Sequence, residues 1–193
     1  MFPMNELETT NTAVPEQGAT MKDRGIVLLV AAAVILLDQL SKYIVIQTLP
    51  LYQSWAPIPA LAAFFQITHA TNTGTAFGLF PNVGWLFGLM AVVVSGAIIY
   101  FNERIASGNI WLRVALGLEL GGALGNLIDR VRLGYVTDLL DFGPWPVFNL
   151  ADLAIVSGAV LLAWIVLREE REAKKAAEAE VDSLPEEQSP TEN

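Results

Sequence analysis

From Tyr43 to Phe101 the chain carries no Asp, Glu, Lys or Arg. A water-soluble domain needs charged side chains spread along its surface, so an uncharged stretch of this length points to lipid rather than water as the solvent. Four runs are apolar enough to span a hydrocarbon layer of roughly 30 Å, which takes about 20 helical residues. They cover approximately residues 25–46, 83–100, 110–128 and 147–167. Each must satisfy its backbone internally, which makes helices the plausible spanning form. The composition agrees: 53% hydrophobic, 16% charged and a mean hydropathy of +0.47.

Lys and Arg give the orientation. Lys22 and Arg24 precede the first run, Arg104 and Arg113 flank the connection between the second and third, and Arg168, Arg171, Lys174 and Lys175 follow the fourth. Only Arg130 and Arg132 fall on the other side. This asymmetry predicts that both termini are cytoplasmic. The net charge of −9 belongs mostly to the ends. Residues 168–193 are rich in Glu, Ala and Lys, then Ser and Pro, and read as a solvated helix that frays into an acidic tail. Residues 1–24 read as an unstructured cytoplasmic tail without a removable leader. The organisation expected is therefore a tail over 1–24, a four-helix membrane body over 25–167, and an acidic cytoplasmic tail over 168–193.

The chain contains no cysteine and one histidine, His69. Thiol chemistry, disulfides and cysteine or HExxH metal sites are thus excluded, and no cofactor is expected. His69 reads as a surface residue on an outer loop. In that loop Phe65, Ile67 and His69 alternate with polar or small residues, predicting a short strand, and Asn72-Thr73-Gly74 predicts a turn. Gly117, Gly121 and Gly125 form a row on the third run that lets a neighbouring helix approach closely.

Ionisable residues inside spans are costly and mark functional sites. At a rise of about 1.5 Å per residue, Asp38, Asp129 and Asp152 lie roughly 21–24 Å from the basic residue at the cytoplasmic edge of their own runs. Three carboxylates therefore share one level near the outer surface. Asn126 shares a helix face with Asp129, and Asn149 with Asp152, so each amide is placed to orient a carboxylate. Asp38 and Lys42 are spaced to pair within the membrane, a structural reading. Ser41 beside Lys42 suggests a Ser/Lys hydrolase, but adjacent helical residues point about 100° apart and the reading fails. Glu119 lies deeper, and no function is read for it. Two neighbouring carboxylates suit metal-free hydrolysis, since like charges raise one pKa and divide the pair into an acid and a base. The alternative is a non-enzymatic lipid-binding or proton-conducting membrane protein. A transporter, though, would need polar groups through the largely apolar inner half as well.

Five stretches, in order, resemble the bacterial lipoprotein signal peptidase (signal peptidase II) family. They are Asp38-Gln39-Leu40-Ser41-Lys42, residues 72–78 (Asn-Thr-Gly-Thr-Ala-Phe-Gly), Gly121 to Arg130, Gly134 to Asp138, and Phe148-Asn149-Leu150-Ala151-Asp152. The resemblance implies an aspartic endopeptidase that removes the signal peptide of prolipoproteins just before a diacylglyceryl-modified cysteine. It implies an all-α membrane protein of four transmembrane helices with a small β-containing extracytoplasmic cradle. It also implies a bacterial cytoplasmic (inner) membrane location with the active site near the outer face, and sensitivity to globomycin-type inhibitors. Helix depth alone pairs Asp129 with Asp152. The Gly-x-Val-x-Asp and Asn-x-Ala-Asp motifs of the family instead give Asp138 and Asp152 as the catalytic pair. By the same resemblance Asp38, Lys42, Asn72, Gly74, Asn126, Asp129, Arg130, Asn149 and Ala151 support the site or bind substrate. Asp129 is expected to hold Arg130 or Asn126, and Asp141 reads as a surface acid. The short connection from Leu139 to Ala151, with Pro144 and Pro146, departs from the family pattern and would narrow access beside the site. Partners implied are prolipoprotein substrates and membrane lipid, with no nucleic acid and a monomeric state.

Overall fold

The computed structural model describes residues 18–74, 84–105 and 108–182. Four α-helices dominate: α1 (Met21–Thr48), α2 (Gly84–Asn102), α3 (Ile110–Leu133) and α4 (Leu150–Asp182). α1 starts at a reciprocal cap. Thr20 Oγ1 accepts from the Asp23 backbone N–H at 3.2 Å, and the Asp23 carboxylate accepts from the Thr20 N–H at 2.9 Å. α3 starts where the Asn109 side chain accepts from the N–H groups of Trp111 and Leu112, and it ends at Gly134, whose φ of 81° is left-handed.

By length and composition, α1, α2 and α4 can each cross a membrane. α3 is diluted by Arg113, Glu119, Asn126, Asp129 and its glycines, and its place in the bundle explains this. The other three helices all pack on α3, while α2 and α4 hardly touch one another. A Cβ added at Gly117 or Gly121 would come within 2.7 Å of Val30 or Val34 on α1. One added at Gly122 would come within 2.5 Å of the Ala151 carbonyl on α4. The glycines thus let α3 sit in backbone contact with two neighbours at once, the packing role read from their spacing. Gly125 does more, because the space where its Cβ would stand is filled by the Asp38 carboxylate, 2.8 Å away.

A three-stranded antiparallel sheet caps one end, in the order β1 (Ser54–Trp55), β2 (Gln66–Asn72), β3 (Val136–Asp141). Between β1 and β2 lies one 3-10 turn, Pro59–Leu61. β2 and β3 pair Ala70 with Asp138 and Asn72 with Val136, after an irregularity between Ile67 and Ala70. After β3 the chain turns at Gly143 (φ 73°) and returns, so that Leu140 and Phe148 exchange backbone hydrogen bonds of 2.7 and 3.1 Å. Phe142 packs between Phe65 and Phe148. The short connection is therefore a hairpin, and it delivers Asn149 beside β3.

Several local readings are corrected. His69 is buried, its ring Nδ1 2.8 Å from the Leu49 carbonyl oxygen, because β2 packs it against the end of α1. Asp141 is half-buried and accepts from Thr68 Oγ1 at 2.8 Å and from the Gly143 N–H at 2.9 Å, so it holds the hairpin. Residues 18–24 are folded: the Ala19 N–H donates to the Glu103 carbonyl, Arg24 pairs with Glu103, and Asp23 is buried. The strand and the turn at Asn72–Gly74 are present, with the Gly74 N–H donating to Asn72 Oδ1 at 3.1 Å. Residues 75–78 of the same motif lie outside the described residues. α4 continues into the acidic segment as an exposed helix.

Candidate active site

Where the sheet meets the bundle, two polar clusters lie side by side. The first centres on Lys42. Its Nζ lies 2.8 Å from Asp38 Oδ2 and 3.1 Å from Asp129 Oδ2, and it donates to Asn126 Oδ1 at 3.1 Å. The remaining acceptor positions are occupied as well. Asp38 Oδ1 accepts from the Ala151 N–H at 3.0 Å, Asp129 Oδ1 from Gln39 Nε2 at 2.9 Å, and Asp129 Oδ2 from the Thr137 N–H at 3.0 Å. Buried charges are tolerated when paired and fully hydrogen-bonded in this way. The cluster joins α1, α3, β3 and the start of α4, so the Asp38–Lys42 pair acts as a structural clasp. Asp129 holds Lys42 and the β3 backbone rather than Arg130 or Asn126, because Lys42 reaches across from α1 to claim it. Ser41 turns away and donates to the Asp38 carbonyl at 2.8 Å.

The second cluster holds Asp138 and Asp152, with Asn149 between them. Asn149 Nδ2 donates to Asp138 Oδ1 at 2.7 Å, while its Oδ1 accepts from the Asp152 N–H at 2.9 Å. The Asn149 N–H donates in turn to Asp152 Oδ2 at 3.3 Å. This reciprocal cap starts α4 with an acid at its positive end, which fixes Asp152 by the physics of helix initiation. Asn72 Nδ2 donates to Asp138 Oδ2 at 3.2 Å, and Asn126 Nδ2 donates to Asp152 Oδ1 at 2.7 Å. The face-sharing rule therefore misassigns Asn126 and gives only part of the role of Asn149. Asn126 serves Asp152 on the next helix, and Asn149 serves Asp138 as well as Asp152. Each carboxylate is held on both oxygens by amides, and among the described residues neither forms an ion pair with a cation.

Burial, and then the neighbouring Asp152 charge, push the Asp138 carboxyl up to about 7, against the opposing hydrogen bonds from Asn149 and Asn72. At neutral pH this group exchanges its proton readily.

Asp152 opens onto a cavity of about 290 Å³ between α2, α3 and α4. Its walls are helical rows: Phe87, Met90, Ala91 and Val94 on α2, and Glu119, Ala123, Asn126 and Arg130 on α3, with Asp152 and Ile155 on α4. Arg130 stands at the mouth, its guanidinium 5.7 Å from the Phe87 ring centre and Nη1 donating to the Asn126 carbonyl at 3.3 Å. Sequence reasoning missed Gln39 and Gly125. Gln39 Nε2 donates to Asp38, to Asp129 and to the Gly125 carbonyl. Gln39 sits in the first matching stretch, and a polar residue beside a buried Asp on an apolar helix was the available signal.

Fold and site together define a helical membrane protein with two neighbouring, amide-held carboxylates, one of which, Asp152, lines a groove between its helices. Comparison with known proteins narrows this. The family model described as signal peptidase (SPase) II matches residues 30–168. The chain is 45% identical over 140 residues to the lipoprotein signal peptidase of Moorella thermoacetica, covering 72% of this chain and 91% of that one. It is 43% identical over 161 residues to that of Pseudomonas aeruginosa strain UCBPP-PA14, covering 79% and 91%. A solved bacterial membrane enzyme structure superposes with a TM-score of 0.71 at 31% identity, covering 80% of this chain and 93% of that one. The chain belongs to the signal peptidase II family of bacterial membrane peptidases.

Proposed function

We propose that this protein is an aspartic endopeptidase that cleaves the signal peptide from diacylglyceryl-modified prolipoproteins, with Asp138 and Asp152 as its catalytic pair. The observation that carries the reading is Asn149, which donates to Asp138 through its side chain and to Asp152 through its backbone. That arrangement ties the two carboxylates to one residue while Lys42 is committed to Asp38, Asp129 and Asn126, which supports their working as a pair. Family membership supports the substrate class.

In the reaction, ionised Asp152 takes a proton from a water as its oxygen attacks the scissile carbonyl. Protonated Asp138 donates its proton to the carbonyl oxygen, giving a neutral tetrahedral diol. Asp152 then returns its proton to the amide nitrogen as the C–N bond breaks. Asp138 recovers a proton from the collapsing diol, leaving a carboxyl product and a free amine on the lipidated cysteine. Asn72, Asn126 and Asn149 orient the two carboxylates. Arg130 at the mouth meets the substrate backbone, and the Asp38–Lys42–Asp129 clasp, with Gly74 and Ala151, fixes the surrounding chain.

All four helices cross the bacterial inner membrane in this reading. α3 qualifies despite its polar residues because its neighbours bury Arg113, Asn126 and Asp129 and its 24 residues are long enough to cross the bilayer core. The excess of Lys and Arg at the opposite end from the sheet supports cytoplasmic termini and a site near the outer face. The membrane body, from the cap of α1 at Thr20 to residue 167, carries the activity as a monomer. The test is Asp138→Asn and Asp152→Asn, each keeping shape and removing the acid. Both variants should express intact and lose cleavage of a diacylated precursor by at least 10³-fold, on the order of catalytic-group removal in other hydrolases. Retained cleavage in Asp138→Asn, with loss in Asp129→Asn, would move the pair.

A further inference from the structure

Glu119 is the one acidic side chain of the groove wall away from the carboxylate pair. It shares the α3 row with Ala123, Asn126 and Arg130, and that row lines the cavity into which Asp152 opens. Its side chain lies over Gly158 of α4, where an added Cβ would stand 3.0 Å from Glu119 Cγ and 3.1 Å from Oε1. The missing side chain at that point makes room for the carboxyl. Glu119 is half-buried, and its carboxyl makes no hydrogen bond or ion pair with the described residues. The facing α2 row, Phe87, Met90, Ala91 and Val94, is apolar throughout. A carboxyl in such a groove without a partner is costly, and an occupant that supplies a hydrogen-bond donor relieves the cost.

The geometry points to Glu119 as a specificity-determining residue, which accepts a hydrogen bond from a donor side chain, such as Ser, in the otherwise apolar signal peptide. This rests on the proposed peptidase reading, with the signal peptide as occupant of the groove. The position follows from height. Asn126 donates directly to Asp152 at 2.7 Å and so marks the level of the chemistry. Glu119 lies seven residues below it on the same face, about 10.5 Å along the axis at 1.5 Å per residue. A substrate that is fully helical from the cut inward presents its seventh upstream residue at that depth. A fully extended one, rising about 3.3 Å per residue, presents its third. The recognised residue therefore falls between the third and the seventh before the cleaved bond.

The experiment measures cleavage of synthetic diacylglyceryl-modified precursors by the full-length protein in lipid. One precursor has an all-Leu apolar segment, and the others carry a single Ser at each position from the second to the tenth before the cut. With the wild-type protein, Ser at one or two adjacent positions in the predicted window should lower KM about fivefold relative to the same precursor on Glu119→Leu, the effect of one ordinary hydrogen bond. Cleavage of the all-Leu precursor should be unchanged or improved in Glu119→Leu, and kcat should stay within about twofold for all pairs. Glu119→Gln, which keeps an acceptor, should retain the preference and guards against a folding defect in the Leu variant. An equal loss on all precursors, a preference outside the window, or no preference that depends on residue 119 overturns the inference while leaving the peptidase reading standing. Failure of the wild-type protein to cleave any precursor overturns the reading beneath it.

Discussion

Asp138 and Asp152 share the amides of Asn149 but come from different elements, and this sets a sign for the pH dependence. Asp138 comes from a strand, is pushed up to about 7 by burial and by its neighbour, and is opposed by amide hydrogen bonds that favour its ionised form. If it acts as the acid, kcat/KM should fall about tenfold per unit as pH rises beyond about 7, when the proton it must donate is lost. Asn72→Ala removes one of the hydrogen bonds favouring the carboxylate. The Asp138 pKa should then rise further, moving the alkaline limb to higher pH. A limb that moves to lower pH, or does not move, would reassign the acid. Little of this was legible from residue spacing. Depth along a helix located Asp38, Asp129 and Asp152, but Asp138 lies past the end of α3 on a strand whose height no helical rise can give. Only the motif resemblance singled it out. The partnership of Asn126 was misread for a related reason, since a rule for neighbours on one helix is silent about the helix beside it.

At the scale of elements, the site depends on how closely α3 and α4 approach. Asn126 of α3 must reach Asp152 of α4, and at Gly122 the backbone of α3 lies close against that of α4. A Cβ there meets the Ala151 carbonyl at 2.5 Å and Ile155 Cγ1 at 2.6 Å. Gly122→Ala should therefore separate the helices, lowering stability by about 1–3 kcal/mol, as overpacking does. It should also cut cleavage more than tenfold, because the Asn126–Asp152 hydrogen bond of 2.7 Å does not stretch far. Gly96→Ala on α2 meets nothing within 4 Å and is the matched control, expected to change neither quantity. Thermal unfolding in detergent and precursor cleavage read the two effects. Equal behaviour of the two variants would show that close packing at Gly122 does not position the site. The helices themselves were legible, because long apolar runs permit little else. Their ends were less so: α3 runs to Leu133, past the apolar stretch, because its last turns carry Asp129 and Arg130 into the site instead of into lipid.

Across the whole molecule, a third polar cluster sits at the end of the bundle away from the sheet. Arg113 is fully buried. Its Nη1 donates to Asn102 Oδ1 at 2.6 Å and to the Asn102 carbonyl at 3.0 Å, its Nη2 donates to the Ile105 carbonyl at 2.8 Å, and its Nε lies 3.6 Å from Asp23. Sequence reading took Arg113 for an orientation marker at the membrane edge, since nothing in its spacing shows that the end of α2 and the start of α1 close over it. One guanidinium thus satisfies carbonyls left open where α2 ends and neutralises the acid that starts α1. It stands about 24 Å along α3 from Asp129, so it should act on folding and not on chemistry. Arg113→Met keeps the apolar stem but strands these acceptors and Asp23, and should cost about 3–5 kcal/mol, as the loss of one partner from a buried charged cluster does. The expected result is a clear drop in the thermal midpoint, with kcat of the remaining folded protein within about twofold of wild type. Asp23→Asn should cost less, because Asp23 is the longest of these contacts and residue 23 keeps its cap to Thr20. An unchanged midpoint in Arg113→Met, or lost cleavage at an unchanged midpoint, would contradict the separation of the two ends. The division has a physical basis: under the proposed mechanism the sheet end keeps two carboxylates out of ion pairs so that protons can move, while the far end can commit its charge wholly to holding three helices together.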